Sequence, residues 1–354
     1  MSAGQPNCQE PLRREQRGTT LWLIGCSGPV NSLSQPVRRA LAEGVRAGEA
    51  DPSVQAIVIS CEGRTFFAGA DLVELEQGLQ PPGLLAFVTA CEDASKPIIA
   101  ALHGTVFGGG VVVAYACDHR IAAQGTRFAM PEVGLGLLPT FGGTQYLPRL
   151  LGIEATLQLV IDGAEWDTTR ALEAGLVDGV VPFDELQQTA DAAARQGLPK
   201  RRVRDAQAHL QEPVAQGQSL AARRLFLDAV APDFEAPRTC LQVIESGLQQ
   251  PLADALLHEH KAFLKLLASA QSRRLRGLFF AERALRRGGF DRPAVEARLR
   301  AVGPKPAALL MASRALLQEA AVPDAKTLDA LLVAVFGLPR HQPSLIHELL
   351  EAPA

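Results

Sequence analysis

At 354 residues the chain is long enough for a sizeable core and for two domains, or for one large domain with a helical appendage. Hydrophobic residues make up 47% and charged residues 21%, an ordinary globular balance that excludes a disordered or fibrous chain. A formal charge of -3 offers no general attraction for nucleic acid or anionic lipid, and no basic patch dominates.

The start, MSAGQPNCQEPLRREQR, is polar where a secretory signal would be apolar, and no run of about 18 apolar residues follows. Residues 1–18 therefore read as a polar tail and the protein as cytoplasmic. From Thr19 to about Pro182, β-rich stretches alternate with helical ones: TLWLIG, AIVIS and PIIAAL are strands, while 37–50 and 155–161 have helical spacing. Gly175 to Val181 reads as a short strand or turn closing this α/β part. Beyond Asp184 strands vanish, and Ala, Leu, Gln and Arg recur at helical spacing to about Arg287. GGFDRP, from Gly288, breaks the helical pattern, and two or three amphipathic helices follow, ending near Glu351. Cys8, Cys26, Cys61, Cys91, Cys117 and Cys240 lack metal-ligand spacing, which argues for reduced thiols and against zinc.

Three separated segments stand out: FFAGADL (66–72), HGTVFGGG (103–110) and MPEVGLG (130–136). A triple glycine lets the backbone approach a ligand, and a helix starting there aims unpaired N–H groups at negative charge. Alone, Gly108 to Gly110 read as a tight turn or close helix packing, and Glu132 as a surface glutamate after a proline. Asp71 reads as a helix cap, Asp118 with Arg120 as an ordered turn, and His103 and His119 as core or surface histidines, since no nucleophile motif accompanies them.

Together, FFAGADL, KPIIAALHGTVFGGG, CDHRIA, MPEVGLGLLPTFGGTQYLPRLLG and AGLVDGVV resemble the enoyl-CoA hydratase/isomerase (crotonase) superfamily in that order. The stretch APRTCLQ to FFAERA resembles the helical linker of multifunctional β-oxidation enzymes, which fuse such a unit to a 3-hydroxyacyl-CoA dehydrogenase. After Arg287 no GxGxxG-bearing strand appears, so an NAD site is not expected, and AALLMASRALLQEA and LDALLVAVFGLPRHQPSLIHELL resemble the last helical part of such fusions. The resemblance implies an α/β, crotonase-like ββα spiral core over 19–186, a helical linker closing the acyl-CoA site over 187–287, and a helical remnant over 288–354, together an all-α C-terminal region.

For the site, the resemblance implies an oxyanion hole from the N–H groups of Ala70 and Gly109, with Glu132 as the catalytic carboxylate. Ala68, Gly69, Asp71, Leu72, Gly108, Gly110 and Val112 would surround the substrate. The first glutamate of the hydratases falls at Val112, which cannot hold water, whereas isomerases of the family have an apolar residue there. The expected activity is therefore Δ3,Δ2-enoyl-CoA isomerisation on an acyl-CoA, with weak or no hydration and no separate cofactor or metal. Hydration or another lyase step, and acyl-CoA binding without catalysis, stand as alternatives.

Arg64, Arg273 and Arg276 are candidate contacts for CoA phosphates, Arg274 lies among them, and Lys200, Arg201, Arg202 and Arg204 would either do the same or form solvated helix faces. The long linker points to a monomer, with the homo-trimer usual among single-domain relatives as the alternative.

Overall fold

The structure, a computed structural model, describes residues 10–341 apart from 29, 212, 304, 305 and 339. Cys8 and the expected helix end near Glu351 lie outside the described residues. Six strands form the main sheet, in the order β1 (Leu12–Arg17), β2 (Thr20–Gly25), β3 (Ala56–Cys61), β4 (Ile98–Leu102), β6 (His119–Ala123) and β8 (Gly179–Val181). β1 pairs antiparallel with β2, and every other pairing is parallel. β5 (Thr105–Phe107) and β7 (Arg127–Ala129) form a separate parallel pair.

The three apolar stretches seen in the sequence are the central strands, and they are apolar throughout because both sheet faces are covered. Leu23, Ile57, Ile59, Ile98, Ala100 and Leu102 face the main core, which also takes the buried sides of the helices Gln35–Ala50, Leu85–Asp93 and Gly109–Ala116. Trp22, Ile24, Val58, Ile99 and Ala101 face the other way, against Leu186, Ala190 and Ala193 of the helix Leu186–Arg195. The period of two within each strand sorts them.

The sheet starts earlier than the sequence suggests. LRREQR reads as polar tail because its charged groups mask a strand pattern, yet Leu12 is buried and Arg13 to Arg17 run along an exposed edge. Charge on an edge strand discourages pairing with other chains.

Beyond 186 every element is helical among the described residues. The helices Pro213–Val230, Glu235–Gly247 and Leu252–Leu267 add Leu220, Cys240, Ile244 and Phe263 to the main core. Ala270–Arg287 instead carries Leu275, Leu278 and Leu285 into a second core with Arg292–Val302, Pro306–Gln318 and Ala325–Phe336. No helix among the described residues is long and apolar enough to cross a membrane.

The basic stretch at 200–204 is neither a solvated helix face nor an open phosphate cradle. It lies on irregular chain around a short 3-10 turn, and its charges are spent on the core. Lys200 Nζ donates to Asp118 Oδ2 at 2.7 Å, Arg201 pairs with Asp178 at 2.6 Å, Arg202 donates to the Glu92 carbonyl at 2.5 Å, and Arg204 pairs with Glu92 at 3.3 Å. Asp118 also accepts from the Ile98 and Arg201 amides, both at 2.8 Å. This carboxylate therefore joins β4 to the chain entering the helical region. His103 and His119 reach the carbonyls of Gly63 and Pro199, at 3.3 and 3.0 Å. Asp118→Ala removes the counter-charge of a largely buried ammonium and leaves two amides without their acceptor, so it should lower unfolding stability by about 3–5 kcal/mol in urea titrations.

Candidate active site

The segment after β3 places Ala68, Gly69 and Ala70 beside the triple glycine. Gly69 C=O accepts from Leu33 N at 2.9 Å, and Leu33 and Ala70 form an isolated parallel bridge. In a trans peptide the carbonyl and the next N–H point in opposite directions, so the Ala70 amide faces away from Leu33. Asp71 then caps the helix Leu72–Gln77, its Oδ1 accepting from Val73 N at 3.0 Å and Glu74 N at 3.2 Å. Leu72 packs half-buried against the main core.

Gly109 opens the helix Gly109–Ala116. Gly108 C=O is turned into that helix, accepting from Val111 N and Val112 N, so the Gly109 N–H points out of its amino-terminal end. Neither Ala70 nor Gly109 donates its amide to a backbone acceptor among the described residues. The two loops touch: a Cβ on Gly108 would lie 3.7 Å from Gly69 Cα. Gly110 is equally constrained, since a Cβ there would meet the Phe67 carbonyl at 1.9 Å.

Glu132 enters on the 3-10 turn Pro131–Leu135, after β7. A Cβ on Gly108 would stand 2.7 Å from Glu132 Oε1, so the carboxylate occupies the space a side chain would fill. With φ 51° and ψ -118°, Gly108 also has a backbone that only glycine adopts readily. Glu132 Oε2 is enclosed without a hydrogen-bond partner. Burial pushes its carboxyl up to about 7, the loss of hydration outweighing a bond from its own backbone. Val112 is 2% exposed and lies one turn on from Gly108, hence on the same side of the helix. A buried, unpaired carboxylate of raised pKa beside two undonated amides is the usual composition of a proton-transfer site.

These features frame the likeness to known proteins. Residues 18–229 match the family described as enoyl-CoA hydratase/isomerase. The chain belongs to this family. The chain is 34% identical over 260 residues to a peroxisomal bifunctional enzyme of Danio rerio, covering 72% of this chain and 36% of that one. It is 35% identical over 241 residues to the fatty acid oxidation complex subunit alpha of Vibrio vulnificus, covering 64% and 34%. The chain thus spans about a third of the length of these curated relatives. Among solved structures, a carnitinyl-CoA hydratase from Mycobacterium avium aligns with a TM-score of 0.57 at 26% identity, over 78% of this chain and 97% of that one. An enoyl-CoA hydratase/isomerase from Pseudoalteromonas atlantica aligns with a TM-score of 0.58 at 24% identity, over 77% and 98%, and shows the crotonase fold.

The candidate phosphate-binding arginines divide. Arg276 is 4% exposed and bonded to Glu76, Ser272 Oγ and the Leu267 carbonyl, so it braces the wall between the Ala270–Arg287 and Leu72–Gln77 helices instead of presenting a free guanidinium. Arg274 pairs with Asp329 at 3.5 Å in the second core. Arg273 donates to the Ala268 carbonyl and remains exposed, as does Arg64. Sequence reasoning missed Ser272, whose Oγ donates to Leu135 O at 2.9 Å and docks this helix on the Glu132 turn. It also missed Glu259, 1% exposed, which accepts from Gly142 N, Thr144 N and Thr144 Oγ1 at 2.7, 2.9 and 2.5 Å. Glu259 interrupts the apolar stripe of Ala255, Ala262, Phe263 and Leu266, a legible sign of a buried carboxylate.

Because the Glu132 carboxyl sits near 7 when folded and at an ordinary 4.5 when unfolded, the folded chain holds this proton more tightly. That contribution is complete below about pH 4.5 and is lost as pH rises through about 7. Glu132→Gln cannot ionise. It should be more stable than the parent at about pH 8 by roughly 1–3 kcal/mol and nearly equal at about pH 4, as read from thermal melts at both values.

Proposed function

We propose that this chain isomerises 3-enoyl-CoA thioesters to 2-enoyl-CoA thioesters, with Glu132 as the sole proton carrier. The observation that carries this reading is the pairing of one buried, unpartnered carboxylate with a valine at 112, one helical turn beyond the glycine it lies against.

The Ala70 and Gly109 amides both donate to the thioester oxygen and stabilise it as negative charge develops; losing one such donor typically costs about 10²–10³ in rate. With the oxygen so held, the C2 hydrogen becomes acidic enough for Glu132. The carboxylate removes that proton, the C3–C4 double bond shifts to C2–C3 as electrons return from the enolate, and the same carboxyl delivers the proton to C4. Atoms and charge balance without water. Hydration needs a second group to hold and split a water molecule, and Val112 offers only an isopropyl group.

The N-terminal end of the Gly109–Ala116 helix adds a positive dipole end to the two amides. The exposed Arg64 and Arg273 are the groups we assign to the CoA phosphates, Arg276 being occupied. The name of one relative, fatty acid oxidation complex subunit alpha, supports fatty-acid oxidation as the setting of this reaction.

The purified chain should convert a 3-enoyl-CoA to its 2-enoyl isomer and hydrate a 2-enoyl-CoA at a rate lower by roughly the 10²–10⁴ a positioned acid or base supplies. Glu132→Gln should lose isomerisation by a similar factor. As a base titrating near 7, Glu132 should make kcat/KM climb with pH up to about 7 and then level off. Efficient hydration that disappears in Glu132→Gln would sink the isomerase reading.

A further inference from the structure

Phe141, nine residues after Glu132, is a bulky side chain at φ 60°. L residues avoid this left-handed region, and holding a large one there costs about 1–3 kcal/mol that the surroundings must overcome. Two hydrogen bonds hold the peptide group that follows it, one at its carbonyl and one at its amide. The Phe141 carbonyl accepts from Tyr115 Oη at 2.8 Å, and the next amide, Gly142 N–H, donates to Glu259 Oε1 at 2.7 Å. Tyr115 belongs to the helix that Gly109 opens, whereas Glu259 comes from the helical region, on Leu252–Leu267.

The ring held this way packs against the loop that precedes the helix Leu85–Asp93. A Cβ on Gly83 would lie 2.9 Å from Phe141 Cε1. The next residue, Leu84, combines with Leu33 to cover Gly109: a Cβ there would meet Leu33 Cδ1 at 2.6 Å and Leu84 Cδ2 at 3.4 Å. Leu33 and Leu84 thus lie against the glycine that carries one of the two amides, and Phe141 lies against the residue preceding Leu84. An alkyl chain leaving a thioester carbonyl at that amide would meet these apolar side chains.

We propose that Phe141 sets the acyl-chain length the site accepts, and that Glu259 is the positioning residue that keeps its ring in place. This rests on the acyl-CoA reading above. The carboxylate uses both oxygens, Oε1 on Gly142 and Oε2 on Thr144, so the specificity wall is completed by a residue outside the α/β core. Glutamine keeps the shape but has one acceptor oxygen, and its NH2 would oppose an N–H.

The test is a calorimetric series with butanoyl-, octanoyl- and dodecanoyl-CoA, alongside isomerase turnover. Phe141→Ala should favour the long chains over butanoyl-CoA by roughly tenfold to a hundredfold, the gain from burying two or three more methylenes. Glu259→Gln should shift the preference the same way by about three- to tenfold, and Tyr115→Phe, which removes the other bond while keeping the ring, should do likewise. In the Phe141→Ala background Glu259→Gln should no longer alter the preference, although it should still lower Tm. An unchanged preference in Phe141→Ala overturns the proposal, as does a Glu259→Gln variant that weakens all three ligands by one factor. Parallel shifts of that kind with isomerisation intact reject only this inference. Chain-length shifts as expected without turnover uphold it and reject the isomerase assignment alone.

Discussion

A carboxylate occupies the volume that a side chain at 108 would need, and much of the site follows from that exclusion. Gly108 has to lack a Cβ for Glu132 to lie over it, and its backbone, at φ 51° and ψ -118°, turns the next amide outward at the start of a helix. The glutamate in turn is short of hydration and of partners, which raises its pKa to about 7 and equips it to exchange protons near neutrality. One steric vacancy thus links backbone conformation, helix start and acid strength.

The two sides of the site are fixed by different means. On the Ala70 side, the buried Arg38 donates to the carbonyls of Leu33, Gln80 and Pro82 and pairs with Glu74 at 2.6 Å, while Leu33 holds the Gly69 carbonyl. Buried charge is tolerated because every guanidinium donor finds an acceptor. On the Glu132 side the supports come from the helical region, through Ser272 on Leu135 and Glu259 on the turn at 142–144.

Much of this was legible in the chain itself. Strands buried on both faces announced themselves as unbroken apolar runs, and the three glycine-bearing segments pointed to one another because their chemistry is complementary. The charged strand β1 was hidden, since an edge needs apolar residues on one side only and Leu12 is nearly alone in supplying them. The fate of the basic groups was hidden as well: whether Lys200 or Arg276 meets a ligand or a carboxylate depends on residues 82 or 200 positions away, which spacing does not encode. Phe141 gave no sign, because its strain exists only once Tyr115 and Glu259 converge on it.

The helix Ala270–Arg287 serves two cores at once. Its Ser272 end rests on the Glu132 turn, and its Leu275, Leu278 and Leu285 belong to the bundle formed with the last helices. Such a shared beam makes the distal bundle a counterweight: packing lost among its last helices weakens the support on which the Glu132 turn rests, through the Ser272–Leu135 bond.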